Sequence, residues 1–453
     1  MRCNVLQEIS SDPFFFSFLN PRTERLLAAP IVPTLARLSA PGVLLVAFQS
    51  LVSIGDTYFV GRLGTAPLAG LALVFPLIML LQMTSAGAMG GGVSSAIARA
   101  LGSGNLPTAR RLVVHALVIA ALMGGAFSVL VLALGPAIYA LLGGRDETLA
   151  NATRYSTVVF AGATTVWMAN TLSSVLRGTG NMLVPAVTLI AAAVVQVPLC
   201  GFLVSRIGIA GAGFAYIASF GIAAAAMAVV VFRRSSALRP SRGDLGLDRR
   251  LFREILRVGG ISVLSSFQTV LTAVILTGLV GGYGAAALAG YGVGLRLELL
   301  QIPLVFAVGQ AMVVLVGVNI GAKRPGRAKR IAWIGTAFAA SISLAIGLVA
   351  SLAPLAWVGL FSSDRGVLES GSHYLRAVAP FYPMLAANIA LYFASQGAGR
   401  VLWPVLAGTA RLVIVIAGGA AAASLGGIFI VIAAAMAVSG LLTIWFVART
   451  RWS

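Results

Sequence analysis

Twelve stretches of this chain are apolar for long enough to cross a lipid bilayer, and no other feature constrains its fold as tightly. The hydrocarbon core of a bilayer is about 30 Å thick, which takes about 20 helical residues to span. The runs cover residues 35–60, 66–97, 109–142, 152–176, 182–204, 209–232, 257–281, 286–318, 328–360, 372–396, 402–423 and 426–448. With 59% hydrophobic and only 10% charged residues, the chain carries more apolar surface than one soluble core can hide. An all-α, polytopic membrane protein of twelve transmembrane helices is therefore predicted, with the lipid bilayer as its solvent. The net charge of +20 raises the question of nucleic acid. Its basic residues cluster between the apolar runs, without a basic face or an aromatic-rich groove, which argues against that partner. Cys3 and Cys200 lie far apart, one in the N-terminal arm and one in an apolar run, and suggest neither a disulfide nor a metal site.

The loops set an orientation. With the N-terminus inside, the inner segments carry 25 of the 32 Lys and Arg residues and the outer loops six, with Arg296 left within a span. That asymmetry follows the positive-inside rule and predicts that both termini are cytoplasmic. The spans fall into two equivalent halves. At an offset of 219, Phe48–Gln49 falls on Phe267–Gln268, Gly102 on Gly321, and Tyr155 on Tyr374. The turn Arg177–Gly178–Thr179–Gly180 with Pro185 likewise falls on Gln396–Gly397–Ala398–Gly399 with Pro404. Six spans per half make the repeats parallel, an arrangement of transporters that bind substrate near the midplane. The predicted organisation is a flexible arm over 1–33, an N-terminal bundle over 34–232, a basic linker over 233–256, a C-terminal bundle over 257–448 and a tail over 449–453. Within the arm, Asp12–Pro13–Phe14–Phe15–Phe16 is too short to span and lacks the features of a cleaved signal.

Only two of the twelve acidic residues fall inside the apolar runs, Asp56 and Glu298. Charge at membrane depth is costly and marks an ion or substrate path by default. Neither acid is repeated, since Asp56 falls on Ile275 and Glu298 on Met79. Gln49, Ser53 and Asp56 share one helical face in span 1, and Ser265, Thr269 and Thr272 repeat that spacing in span 7. Asn170, Ser174 and Arg177 make a third polar stripe in span 4. Helix-to-helix hydrogen bonding accounts for the Ser and Thr stripes by themselves, but it does not require an ionisable residue such as Asp56. In span 8, Glu298 shares a face with Gln301, while Arg296 points elsewhere on a regular helix. Glu298, Arg296 and Gln301 are a second candidate ion or substrate site. The alternative for Glu298 is a buried structural pair with an arginine of another span, such as Arg411. His115 and His373 lie near span ends and are read as surface or interfacial residues. The run Gly87–Ala88–Met89–Gly90–Gly91–Gly92 lacks the Lys-Ser/Thr of a phosphate loop and suits close helix packing.

From about Arg37 onward the chain resembles the multidrug and toxic compound extrusion (MATE) transporters of prokaryotic type. The landmarks are Gly55–Asp56–Thr57–Tyr58–Phe59–Val60–Gly61–Arg62–Leu63–Gly64, Ser94–Ser95–Ala96–Ile97–Ala98–Arg99 and Leu176–Arg177–Gly178–Thr179–Gly180. In the second half they are Tyr291–Gly292–Val293–Gly294–Leu295–Arg296–Leu297–Glu298, Gln310, and Val316–Gly317–Val318–Asn319–Ile320–Gly321–Ala322. The resemblance implies a V-shaped pair of six-helix bundles and secondary export of organic cations, drugs or metabolites in exchange for protons or sodium ions. No cofactor beyond the coupling ion, a monomer and a bacterial inner-membrane location are also expected. Asp56 matches the family's ion-coupling acid, and Asn170 and Tyr155 match its polar partners. Span 5 departs from the family pattern. Val197 and Ala193 stand where an Asp before a proline and an Asn one turn earlier are usual, and Tyr216 replaces a span 6 Thr. Losing those oxygens favours a proton, which needs one carboxylate, over sodium, which prefers several oxygen ligands.

Two other readings remain open at this level. A lipid-linked oligosaccharide flippase of the same wider superfamily usually has extra spans and a basic cavity. A passive channel needs no differential ion binding. A membrane enzyme is disfavoured, because no paired carboxylates, histidine cluster or activated nucleophile share one depth.

Overall fold

In lipid a backbone N–H or C=O has no water to bond, so apolar spans fold as helices that satisfy themselves. The computed structural model describes residues 21–452, and among them it is helical throughout its long elements. Eleven helices are long and apolar enough to cross a membrane, and one bent pair makes a twelfth. Span 1 is Ile31–Gly61, span 2 Thr65–Gly102 and span 3 Leu106–Leu141. Span 4 is the bent pair, Asp146–Ala161 and Ala163–Gly178, which turn by 48° at Gly162. Spans 5 and 6 are Leu183–Ile207 and Ile209–Phe232, and span 7 is Arg249–Gly281. Spans 8 to 12 are Ala285–Gly321, Pro325–Leu352, Arg365–Gly397, Leu402–Ala421 and Leu425–Arg449.

The breaks have local causes. At Gly162 an added Cβ would meet the Ile217 side chain at 2.7 Å, so span 6 presses against the bend. Span 10 is interrupted by a short 3-10 turn, Ala379–Phe381, which contains Pro380. Span 2 carries a π-helical stretch, Met83–Met89, at mid-length. Such stretches often mark functional positions. Span 9 ends at Leu352 rather than near residue 360, because Pro354 starts a separate short helix, Pro354–Val358.

Two expected boundaries change. Part of the arm predicted over 1–33 lies outside the described residues, as does Cys3, but its last third is ordered. Pro21–Ala28 is a helix whose Leu26 and Leu27 are buried in one cluster with Met182, Val305, Ala328 and Trp452. The backbone carbonyls of Leu27 and Ala29 accept hydrogen bonds from Arg324 and Arg327. The linker is also shorter than 233–256, because Asp248 caps span 7 by accepting from the Arg250 amide at 2.8 Å. It is tied down as well. Arg110 donates to the Ala237 carbonyl at 2.8 Å, and Arg111 pairs with Asp248 at 3.5 Å. His115 is fully buried rather than superficial. Its Nε2 accepts from the Asp248 amide at 2.8 Å, which leaves Nδ1 to donate to the Arg111 carbonyl at 2.7 Å. That pattern requires the neutral imidazole.

The two six-span bundles meet on the face that carries the 233–248 loop, called here the basic face. Their contact is made by small residues. An added Cβ at Gly92 of span 2 would lie 2.9 Å from backbone atoms of Ile255 and Gly259 in span 7. Gly102 and Gly321, equivalent in the repeat, each lie against the other bundle, at the Val318 and Arg99 carbonyls respectively. Small residues let helix backbones approach closely, the usual basis of packing in lipid. Arg99 crosses the same seam, pairing with Glu254 at 3.3 Å and donating to the Gly397 carbonyl at 3.2 Å. At the far end of span 1, a hollow of about 590 Å³ opens beside Ser53, Thr57, Tyr58 and Arg62.

Candidate functional site

Asp56 sits five residues before the end of span 1, about 8 Å from the face opposite the basic one. Its Oδ2 accepts a 2.7 Å hydrogen bond from Gln196 Nε2 of span 5. The Cys200 thiol, one turn further along span 5, also faces the carboxylate. Gly55 allows this approach, because an added Cβ there would lie 3.2 Å from Val197. The phenols of Tyr155 and Tyr216 lie within the carboxylate's electrostatic reach. Asp56 Oδ1 is buried with no hydrogen-bond partner among the described residues.

The structure divides the predicted stripe of span 1. Gln49 and Ser53 are exposed, while Asp56 turns toward span 5. In span 7 the predicted stripe also divides. Thr269 is exposed, Ser265 is half-buried and Thr272 is buried, with its hydroxyl bonded to the Gln268 carbonyl at 2.7 Å. The span 4 stripe is continuous. Ser174 donates to the Asn170 carbonyl at 2.7 Å, and Arg177 donates to Ser174 Oγ at 2.8 Å.

Asn170 lies in the bundle with Asp56, but its amide bonds elsewhere. Its Nδ2 donates to Gln82 Oε1 at 2.9 Å and to Ser85 Oγ at 2.8 Å. Gln82 in turn donates to Tyr216 Oη at 2.7 Å. A buried polar chain thus runs from Tyr216 through Gln82 and Asn170 to the π-helical stretch of span 2. Sequence reasoning missed Gln196, Cys200 and Gln82. A signal for Gln196 existed, since it is the one amide in span 5.

In the second bundle, Glu298 is buried and Oε2 accepts from Tyr374 Oη at 3.0 Å. Arg411 Nη2 lies 3.9 Å from Oε1. Arg411, one of the 25 charges that the sequence assigns to inner segments, stands instead at the middle of span 11. Arg296 is excluded from this site, because it is exposed and stacks on Phe361 at 5.1 Å. Gln301 stays on the Glu298 side of span 8 and is buried. The repeat explains part of the layout. Tyr155 and Tyr374 are equivalent, and each faces the acid of its own bundle. The acids come from different spans. At the same offset Asp56 and Gln196 fall on Ile275 and Val415, and Glu298 and Arg411 on Met79 and Ala192.

Two parallel six-span bundles that close on one face, each with an ionisable site inside, define a membrane transporter. The MatE family model matches residues 41–202 and 262–421, once in each half. The chain belongs to this family, the multidrug and toxic compound extrusion transporters. It is 26% identical to the FAD transporter of Shewanella oneidensis, over 86% of this chain and 87% of that one. It is 24% identical to the probable multidrug resistance protein NorM of Thermotoga maritima, over 82% of this chain and 81% of that one. Its fold matches a MOP superfamily transporter from Pyrococcus furiosus with a TM-score of 0.88, at 22% identity, over 95% of this chain and 98% of that one. An outward-facing multidrug resistance MATE transporter gives the same TM-score, identity and coverage. The V-shaped two-bundle architecture expected from sequence is thereby established.

Proposed function

We propose that this chain is a proton-coupled antiporter that exports small organic molecules, with Asp56 carrying the coupling proton. The observation that carries this reading is the environment of Asp56. One amide N–H and one thiol face a single carboxylate, two phenols lie within its electrostatic reach, and among the described residues no second carboxylate stands beside it. A proton needs one such group, while a sodium ion asks for several oxygen ligands. The basic asymmetry supports a cytoplasmic basic face, both termini inside, and a bacterial inner-membrane location. Asp56 then lies near the outer side, where a proton enters down its gradient.

Protonation removes the charge that strengthens the Gln196 bond. A charge-assisted hydrogen bond is roughly twice as strong as a neutral one, so the span 1 to span 5 contact weakens when the proton binds. That difference between protonation states biases the bundle, and the ion shifts the equilibrium only by this differential affinity. Organic cations and drugs are the substrate class in keeping with the multidrug relatives. The FAD transporter relative supports metabolites as well.

The test is dye or flavin uptake into proteoliposomes, energised separately by a proton gradient and a sodium gradient. Uptake with the proton gradient alone, lost in Asp56→Asn with normal folding in detergent, is the expected result. Uptake driven by sodium alone, or wild-type rates in Asp56→Asn, overturns it. Gradient-independent equilibration would assign the chain to the passive-channel class.

A further inference from the structure

The C-terminal bundle holds ionisable groups that the Asp56 cycle does not use. Glu298 and Arg411 are paired across spans 8 and 11, but only at 3.9 Å. Strong guanidinium–carboxylate bonds lie near 2.7–2.9 Å and are often bidentate. Tyr374 of span 10 donates to the same carboxylate, and the phenols of Tyr382 of span 10 and Tyr291 of span 8 lie within its electrostatic reach. One turn along span 8, Gln301 is 2% exposed, and neither atom of its amide has a hydrogen-bond partner among the described residues. Leaving a buried polar group unpaired is unfavourable, so such a side chain gains from a ligand that bonds it.

The two halves of the ion pair are not equally covered. The Glu298 side chain is 8% exposed and that of Arg411 19%. A charge at mid-span faces the bundle interior or a water-filled cavity, not hydrocarbon. The guanidinium is therefore the open edge of the pair and the carboxylate its backing. At 3.9 Å the contact to Glu298 lies beyond hydrogen-bond range, so the planar fork of N–H donors on Arg411 is free to meet another acid. The first bundle has nothing equivalent, since Met79 and Ala192 stand at the matching positions.

We propose that Arg411, backed by Glu298, Tyr374 and Gln301, binds an acidic group, a carboxylate or a phosphate, on the exported molecule. The proposal rests on the reading that the chain exports small organic molecules, and it names a chemical class for them. The incoming acid takes the free N–H fork bidentately, and the Gln301 amide gains a partner. Glu298 serves as the internal counter-ion that keeps an empty site neutral. It also opposes an anion at the same guanidinium, so removing its charge strengthens binding.

The test uses purified full-length protein in neutral detergent, with no ion gradient, titrated with riboflavin and with flavin mononucleotide. The two probes share one fluorescent ring and differ by a single phosphate, so their affinity ratio reports the acid alone. The expected ratio is about tenfold or more in favour of the mononucleotide, or 1.4 kcal/mol. The double variant Glu298→Gln/Arg411→Gln strands no charge, and in it the ratio falls to about one. Glu298→Gln alone, checked for folding by size exclusion, binds the mononucleotide several-fold more tightly. Equal binding of the two flavins by the parent overturns the proposal. So does a preserved ratio in the double variant, or the absence of saturable mononucleotide binding at about millimolar concentration. Loss of the ratio on adding phosphatidylglycerol would assign the guanidinium to lipid headgroups and also overturn it. Because no gradient is present, failure of proton coupling leaves this result readable. Equal flavin binding in turn leaves proton coupling standing.

Discussion

Gly92→Ala tests how the basic face is held shut. The added methyl carbon would lie 2.9 Å from the Ile255 carbonyl oxygen and the Gly259 nitrogen, and 3.0 Å from Gly259 Cα. Ordinary contacts between carbon atoms are about 3.5–4.0 Å, so spans 2 and 7 must separate by roughly 0.5–1 Å. All three opposing atoms are helix backbone and cannot swing aside as a side chain would. Overpacking of this kind costs about 1–3 kcal/mol. Because the clash exists only while the bundles are closed, that energy acts on the closed state and shifts the population toward a basic-face-open form by about 5- to 150-fold. Gly260→Ala is the matched control, since its added methyl meets nothing within 4 Å. The assay is a spin-label distance between exposed Ser103 and Lys323, each replaced by Cys, with Cys3 and Cys200 replaced by Ser. A longer-distance population should grow in Gly92→Ala and match the parent in Gly260→Ala. An unchanged distance distribution together with an unchanged melting temperature in Gly92→Ala would refute the reasoning.

Three more outcomes follow from named contacts. Gln196→Ala removes the donor to Asp56, a hydrogen bond to a charged group worth about 1.5–3 kcal/mol, and should alter the pH profile of transport without losing protein from the membrane. A profile that superimposes on the parent's would detach Gln196 from coupling. Leu27 is 1% exposed, so Leu27→Ala should cost about 2–5 kcal/mol at the junction of the N-terminal helix with span 8, read as a lower melting temperature in detergent. In the 233–248 loop, Ser241 donates to Asp244 from its backbone N–H and its hydroxyl, which holds the carboxyl below the usual carboxylate range. A depressed value gives stability that is present above about pH 3.9 and lost as the pH falls through the folded value. Hydrogen-exchange protection of the Ser241 amide should therefore hold from pH 7 to about 4 and fall below it, and Asp244→Asn should abolish that dependence.

The twelve spans, their pairing into two parallel halves and the two acids within the spans were legible in the sequence, because each depends on local composition or on a repeat at one offset. An apolar run of 20 residues can only be a helix in lipid, whatever surrounds it. The span 4 ladder from Asn170 through Ser174 to Arg177 was equally legible, since its members bond within one helix. What each acid faces was not. Gln49, Ser53 and Asp56 share a helical face by spacing, yet span 5 packs so that Gln196 and Cys200 take Asp56 and leave the other two exposed. Spacing turned Arg296 away from Glu298 and offered Arg411 only as one arginine among several, and the packed bundle brought Arg411 within 3.9 Å of it. His115 looked superficial by its position near a span end, until the linker folded back and placed Asp248 on its ring. Periodicity reports where a side chain leaves its own helix. Which neighbour it meets depends on how helices from distant parts of the chain rotate and cross, and only the packed bundle decides that.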